Sequence, residues 1–142
     1  MPIRPALRWY YPIDWPLLSR WVRFERAKGR CETCGRPHGQ TVHCLSDGRW
    51  LDPTTTEWRD GKGRSCRVPN QADRKSLHTT HIVLAAAHLD HNPGNNRPTN
   101  LRSLCQRCHM QYDRPHHLAQ RWLTYRRRSA IGDLFLGRYP PA

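Results

Sequence analysis

Six cysteines and nine histidines are the residues of this 142-residue chain with the most chemistry to offer. Four of the cysteines form two like pairs, Cys31-Glu-Thr-Cys34 and Cys105-Gln-Arg-Cys108. A two-residue gap lets both thiolates bend back onto one point, and two such pairs supply the four sulfurs of a tetrahedral Zn²⁺ site. Four protein ligands leave no open position for water or substrate, so the predicted role is structural. One ion would tie together segments separated by about seventy residues, closing a large loop. Cys44 and Cys66 have no close partner in sequence and read as small buried residues.

A second group is polar and lies between His88 and Asp113: His88-Leu89-Asp90-His91, Asn95-Asn96, Asn100, then His109 and Asp113. On a helix Cys108 and His109 are about 100° apart, so the cysteine can face zinc while the histidine faces elsewhere. His109 and Asp113 are four apart and project from one helix face. An imidazole and a carboxylate so placed suit Mg²⁺ or Mn²⁺ while leaving positions for phosphate and water. Such an ion offsets charge on a phosphate and on a departing oxygen.

The pattern resembles the HNH nucleases, and the C-x-x-C-H ending resembles their subclass stapled by four cysteines. The three signature positions fall on His88, Asn100 and His109, twelve and then nine residues apart. The match covers residues 79–113 and adds Cys31 and Cys34. The resemblance implies a ββα-metal finger (strand, loop, strand, helix) gripping one divalent ion. It implies that His88 is the general base for water, a role worth roughly 10²–10⁴ in rate. It implies that Asn100 holds the loop and orients His88, with Asp90, Asn95 and Asn96 bracing the same loop. Ala87 stands where most members carry an Asp or His ligand, which leaves Asp90 or His91 as candidate replacements.

The elements that must position these groups form an α+β domain spanning 1–142. Residues 1–13 read as an extended, proline-punctuated arm. A basic helix follows, with Asp14 as N-cap, Pro16 in its first turn, Gly29 at its end and Leu17, Leu18, Trp21 and Val22 as an apolar stripe. That arm and helix make up 1–30. Residues 31–78 hold the first zinc knuckle and a β-rich insertion, with a hairpin over Thr41–Leu45 and Arg49–Leu51 about Ser46-Asp47-Gly48. A further short strand or turn is predicted over Trp58–Arg64, and a polar loop over Pro69–Ser76. Residues 79–113 form the ββα core: one strand over Thr79–Ala87, a loop to Thr99, a return strand over Leu101–Leu104, and a helix from Cys105 ended by Pro115. Residues 114–142 add a second basic helix, with Leu118, Trp122 and Tyr125 on one side, and a tail. His116 and His117 read as surface or phosphate contacts.

The charge balance names the partner class. Twenty-four Lys+Arg against eleven Asp+Glu leave +13, and nearly all of the excess is arginine, whose planar fork suits phosphate oxygens. Such an excess on a small chain points to a polyanion, DNA first, with RNA as the alternative. No long cationic amphipathic helix favours a membrane, and no stretch is long enough to span one. The N-terminus, broken by Pro2, Pro5, Pro12 and Pro16, does not read as a secretory signal. A cytoplasmic location is therefore expected, where thiols stay reduced and cysteines serve metals better than disulfides. The sequence leaves open a non-catalytic, zinc-stapled binding protein, and it fixes neither target sequence nor oligomeric state.

Overall fold

The computed structural model describes residue 3 and residues 5–136, with side chains as far as 128. It is a small α+β protein with two antiparallel sheets and a C-terminal helix, and it divides into two compact units, Met1–His109 and Met110–Ala142.

In the first unit, residues Pro5–Tyr10 form a 3₁₀ helix where an extended arm was expected. Proline tolerates this because its ring fixes φ near the helical value. Helix α1 then spans Trp15–Arg20 and widens into π-type turns over Trp21–Arg26. Asp14 stands at the N-cap but makes no side-chain capping bond. The expected apolar stripe is not buried as a stripe: Val22 is in the core, whereas Leu17 and Trp21 are exposed. The wider turns rotate the helix surface, so the stripe read at 3.6 residues per turn drifts out of register. Gly29, at φ +70°, ends the segment as expected.

Strands β1 (Thr41–Cys44), β2 (Trp50–Leu51), β3 (Trp58–Arg59) and β4 (His78–His81) form one sheet in the order β3-β2-β1-β4. Along β1, Val42 and Cys44 point inward while Thr41 and His43 face solvent, the two-residue alternation of a half-buried strand. The expected hairpin about Ser46-Asp47-Gly48 is present, with Cys44 opposite Trp50. Gly48 has φ +96°, a backbone conformation that favours glycine, and a Cβ there would push the Arg107 guanidinium aside. Within 69–76, a 3₁₀ turn over Asp73–Ser76 is closed by reciprocal bonds between Asn70 and Asp73.

The single strand expected over 79–87 is two strands in two sheets. β4 pairs with β1, and β5 (Leu84–His88) pairs with β6 (Leu101–Cys105). The break falls at Ile82 and Val83, whose backbone turns to other partners. Ile82 exchanges bonds with Gly39 and Gln40, and the Val83 N–H donates to the Gln106 side chain. Gln106 also donates to the His81 carbonyl at 2.7 Å, which locks the helix start onto this crossover.

Helix α2 runs over Gln106–Leu136 and contains Pro115, which was expected to end it. Proline removes one backbone donor, but strong helix formers such as Leu118, Ala119 and Gln120 follow, and the surrounding surface is exposed, so water can take the freed carbonyl. In the second unit Leu118, Trp122 and Tyr125 are exposed, and the Arg126 guanidinium lies 4.6 Å from the Trp122 ring centre. The tail expected from Gly132 is still helical as far as Leu136, and the rest of it lies outside the described residues.

The insertion is braced by a buried carboxylate. Burial pulls the Asp52 carboxyl up, yet the Thr54 N–H, Arg59 and Arg30 together hold it below the usual range. Its Oδ2 lies 2.9 Å from Arg59 and 3.4 Å from Arg30. Removing Asp52 leaves Arg30 without its carboxylate, Arg59 with only Glu57 at 3.9 Å and the Thr54 N–H without its acceptor, so Asp52→Ala should cost about 1.5–3 kcal/mol. Urea unfolding checks this; a loss below about 1 kcal/mol would show that the pair is solvated in practice.

Candidate functional site

The four cysteines of the two knuckles converge. Cys31 and Cys34 lie in turns after α1, Cys105 ends β6, and Cys108 sits in the first turn of α2. All four are buried, and their sulfurs lie within 4.8 Å of one another. Four thiolates held 2.3 Å from one tetrahedral ion stand about 3.8 Å apart. The Cys34–Cys105 Sγ separation is 3.6 Å. These residues are positioned to hold a metal ion, and the donor set is compatible with structural zinc. Hydrogen bonds from Cys108, Cys31 and Cys34 hold Cys105 strongly on the thiolate side. Contact with Cys105 pulls the Cys31 thiol up, but Cys108 and Cys34 outweigh it and bring it down to about 6. Gly63 lets the insertion lie against this knuckle, since a Cβ there would stand 2.9 Å from the Cys34 carbonyl oxygen.

Cys44 is a buried free thiol, as the sequence suggested, whereas Cys66, also expected to be buried, is only half-buried. Sequence reasoning missed Arg36. It is 2% exposed, with Nη1 3.9 Å from Cys34 Sγ and 4.0 Å from Cys105 Sγ. A Cys-x-x-Cys-Gly-Arg order was visible, but nothing local says that the arginine turns inward.

His88 ends β5 opposite Leu101, half-buried, where the polar loop begins. Its Nε2 lies 2.9 Å from Asn96 Oδ1, while Asn96 Nδ2 donates to the Pro93 carbonyl at 3.1 Å. The second bond fixes the amide orientation, so its oxygen faces the ring and Nε2 is the nitrogen carrying hydrogen. Nδ1 is left as the lone-pair nitrogen. Trp15 stacks on the ring (centres 5.0 Å apart, planes 16° apart), and Tyr11 meets it edge-on at 5.7 Å. The roof leaves proton exchange to the ring plane. Burial raises the Tyr11 hydroxyl pKa. Neither aromatic was assigned to this histidine from sequence.

Asn100 holds the loop rather than the histidine. Its Nδ2 donates to Asp90 Oδ1 and to the Asn95 carbonyl, both at 2.8 Å, and its Oδ1 accepts from the Asp90 N–H at 3.2 Å. The hydrogen bond to the His88 ring comes from Asn96 instead. Asp90 is the hub of the same loop: Asn92 N and Asn100 Nδ2 donate to one carboxylate oxygen, and Asn95 Nδ2 to the other. His91 turns the chain at φ +58°. Loop and strand are tied to the widened helix by Arg26, which donates to the Pro98 and Leu101 carbonyls and pairs with Glu32.

The Asn100, Asn92 and Asn95 donors hold the Asp90 carboxyl down to about 2. A lowered folded value means that its contribution is complete above the unfolded pKa near 3.8. That contribution declines as pH falls below 3.8 and is lost below about 2. A carbon-13 titration of this carboxyl should therefore show its midpoint near 2; a midpoint near 4 would mean that the asparagines do not hold it.

Ala87 is buried in the core beside Leu84 and Leu104, so the position where a ligand was missed faces apolar packing. His109 is half-buried in the first unit, and Asp113 belongs to the second, where its Oδ2 lies 3.9 Å from His117 Nε2. Among the described residues, the four cysteines are the only group of three or more His, Cys, Asp or Glu whose ligand atoms approach this closely. No described helix is long and apolar enough to cross a membrane. No family model, curated protein or solved structure matches the chain.

Proposed function

We propose that this protein is a metal-dependent DNA endonuclease of the HNH type, stapled by zinc at Cys31, Cys34, Cys105 and Cys108. The observation that carries the reading is His88. It is an imidazole at a strand end, roofed by Trp15, with Nε2–H committed to Asn96 and Nδ1 left to accept a proton. It stands on the order β5, polar loop, β6, α2 that the family resemblance calls for. Zinc suits the cysteines because four soft thiolates in a closed, buried site favour it over harder ions.

His88 takes a proton from the water that attacks phosphorus, and the Asp90–Asn100 network keeps the loop from collapsing onto it. His109 and Asp113 would hold a divalent ion such as Mg²⁺ or Mn²⁺. Asp113 already lies near the His117 imidazole, so the helix offers the mixed oxygen and nitrogen donors such ions accept. When bound, the ion would supply charge compensation at the scissile phosphate and the leaving oxygen. The net charge of +13 supplies the sequence-independent hold on the phosphate backbone.

A non-catalytic, nucleic-acid-binding module is the second reading. It is favoured by the core position of Ala87 and by the lack, among the described residues, of a second close ligand group. Incubation with supercoiled plasmid in EDTA, magnesium and manganese arms, with an RNA arm at matched salt, tests both. Metal-dependent nicking supports the nuclease, binding without nicking supports the module, and cleavage confined to RNA reassigns the substrate.

A further inference from the structure

We propose that Arg36 is the built-in counter-cation of the metal tetrathiolate, and that its charge sets how tightly the ion is held. The proposal rests on a metal ion in the cysteine cluster and not on the nuclease reading. Four thiolates around a divalent ion leave a net charge of −2, and a buried dianion is costly unless paired. Arg36 is the group placed to pair it. Its Nη1 reaches one sulfur of each knuckle, Cys34 and Cys105, so one guanidinium spans both halves of the site. Its Nη2 is anchored on the Gly48 carbonyl at 3.0 Å, and its guanidinium lies 5.7 Å from the Trp50 ring centre.

A purely structural arginine would find a carboxylate or water. Arg36 is 2% exposed, its Nε has no partner, and no carboxylate among the described residues pairs with it. Cys44 is turned toward the Val42 carbonyl as a thiol donor, which leaves the cluster sulfurs as the anions beside the guanidinium. Four neutral thiols would leave this cation buried without a counter-charge. The arginine therefore makes physical sense only beside charged sulfur.

The test compares the zinc-loaded wild type with Arg36→Met, Arg36→Gln and Arg36→Lys. Readouts are zinc content, competition against a chromophoric chelator, and the sulfur-to-metal charge-transfer band of the cobalt-substituted protein. Wild type should hold one zinc per chain. The two neutral variants should bind it roughly 10–100-fold more weakly, with a charge-transfer band at lower energy, as for loss of an outer-shell partner. Arg36→Lys keeps the charge and should recover most of the affinity. If Arg36→Met does not fold, the Lys and Gln variants decide, and equal affinity in those two overturns the proposal. Wild-type affinity and an unshifted band in the neutral variants also overturn it. A wild type that binds no metal would instead overturn the metal reading beneath it.

Discussion

Chelating the metal that the four cysteines are positioned to hold should unfold the first unit. The sulfurs are not attached to the surface of a finished core; Cys31, Cys34, Cys105 and Cys108 belong to the same buried cluster as Val42, Trp50, Ile82, Leu84 and Leu104. Most of that cluster comes from short strands, one of them only two residues long, so a metal link between the knuckles would be a main tie between the insertion and the strands β5 and β6. Without it, thiols in mutual contact and a buried Arg36 lose the charge that balances them. Structural zinc in small domains supplies roughly 10–16 kcal/mol of apparent binding free energy, comparable with the entire stability of about 5–15 kcal/mol of an ordinary domain. Exhaustive chelation at neutral pH should therefore abolish the cooperative thermal transition, and added zinc should restore it. Cys105→Ser should behave like the chelated protein. A metal-free sample, verified by elemental analysis, that still melts cooperatively would show that the apolar core suffices.

What the sequence made legible was local. Both knuckles, the hairpin about Gly48 and the return strand at Leu101 leading into a helix could be read because each depends on spacing within a few residues. What escaped was set by residues far apart in the chain. Nothing near Asn96 distinguishes it from Asn95 or Asn100 as the partner of His88; its side chain is selected by how the loop doubles back through Pro93. Trp15 reached His88 only once α1 packed on β5. The break between β4 and β5 was hidden because Thr79–Ala87 is uniformly compatible with a strand, and the partners that divide it, Gln40 and Gln106, lie on either side in sequence. Pro115 shows the opposite error, a strong local signal outweighed by helix-forming neighbours.

Replacing His88 with alanine should reduce metal-dependent plasmid nicking by roughly 10²–10⁴ while leaving DNA binding intact. The two effects separate because they arise from different physics. Proton removal from water needs one lone pair at one place, and on the proposed reading the Asn96 bond and Trp15 stack would hold this ring to present it. Binding, on the proposed reading, would draw on a surplus of arginines spread over the chain, so one imidazole should contribute little to it, and the slope of affinity against salt should not change. Packing is the competing explanation for lost activity, since alanine also removes the ring beneath Trp15. His88→Gln keeps much of the volume and a donor for Asn96 but presents no imidazole lone pair. If it nicks as poorly as His88→Ala, with an unchanged melt, the lost function is chemical. Nicking that survives both substitutions would move the base elsewhere or leave this chain a binder of nucleic acid.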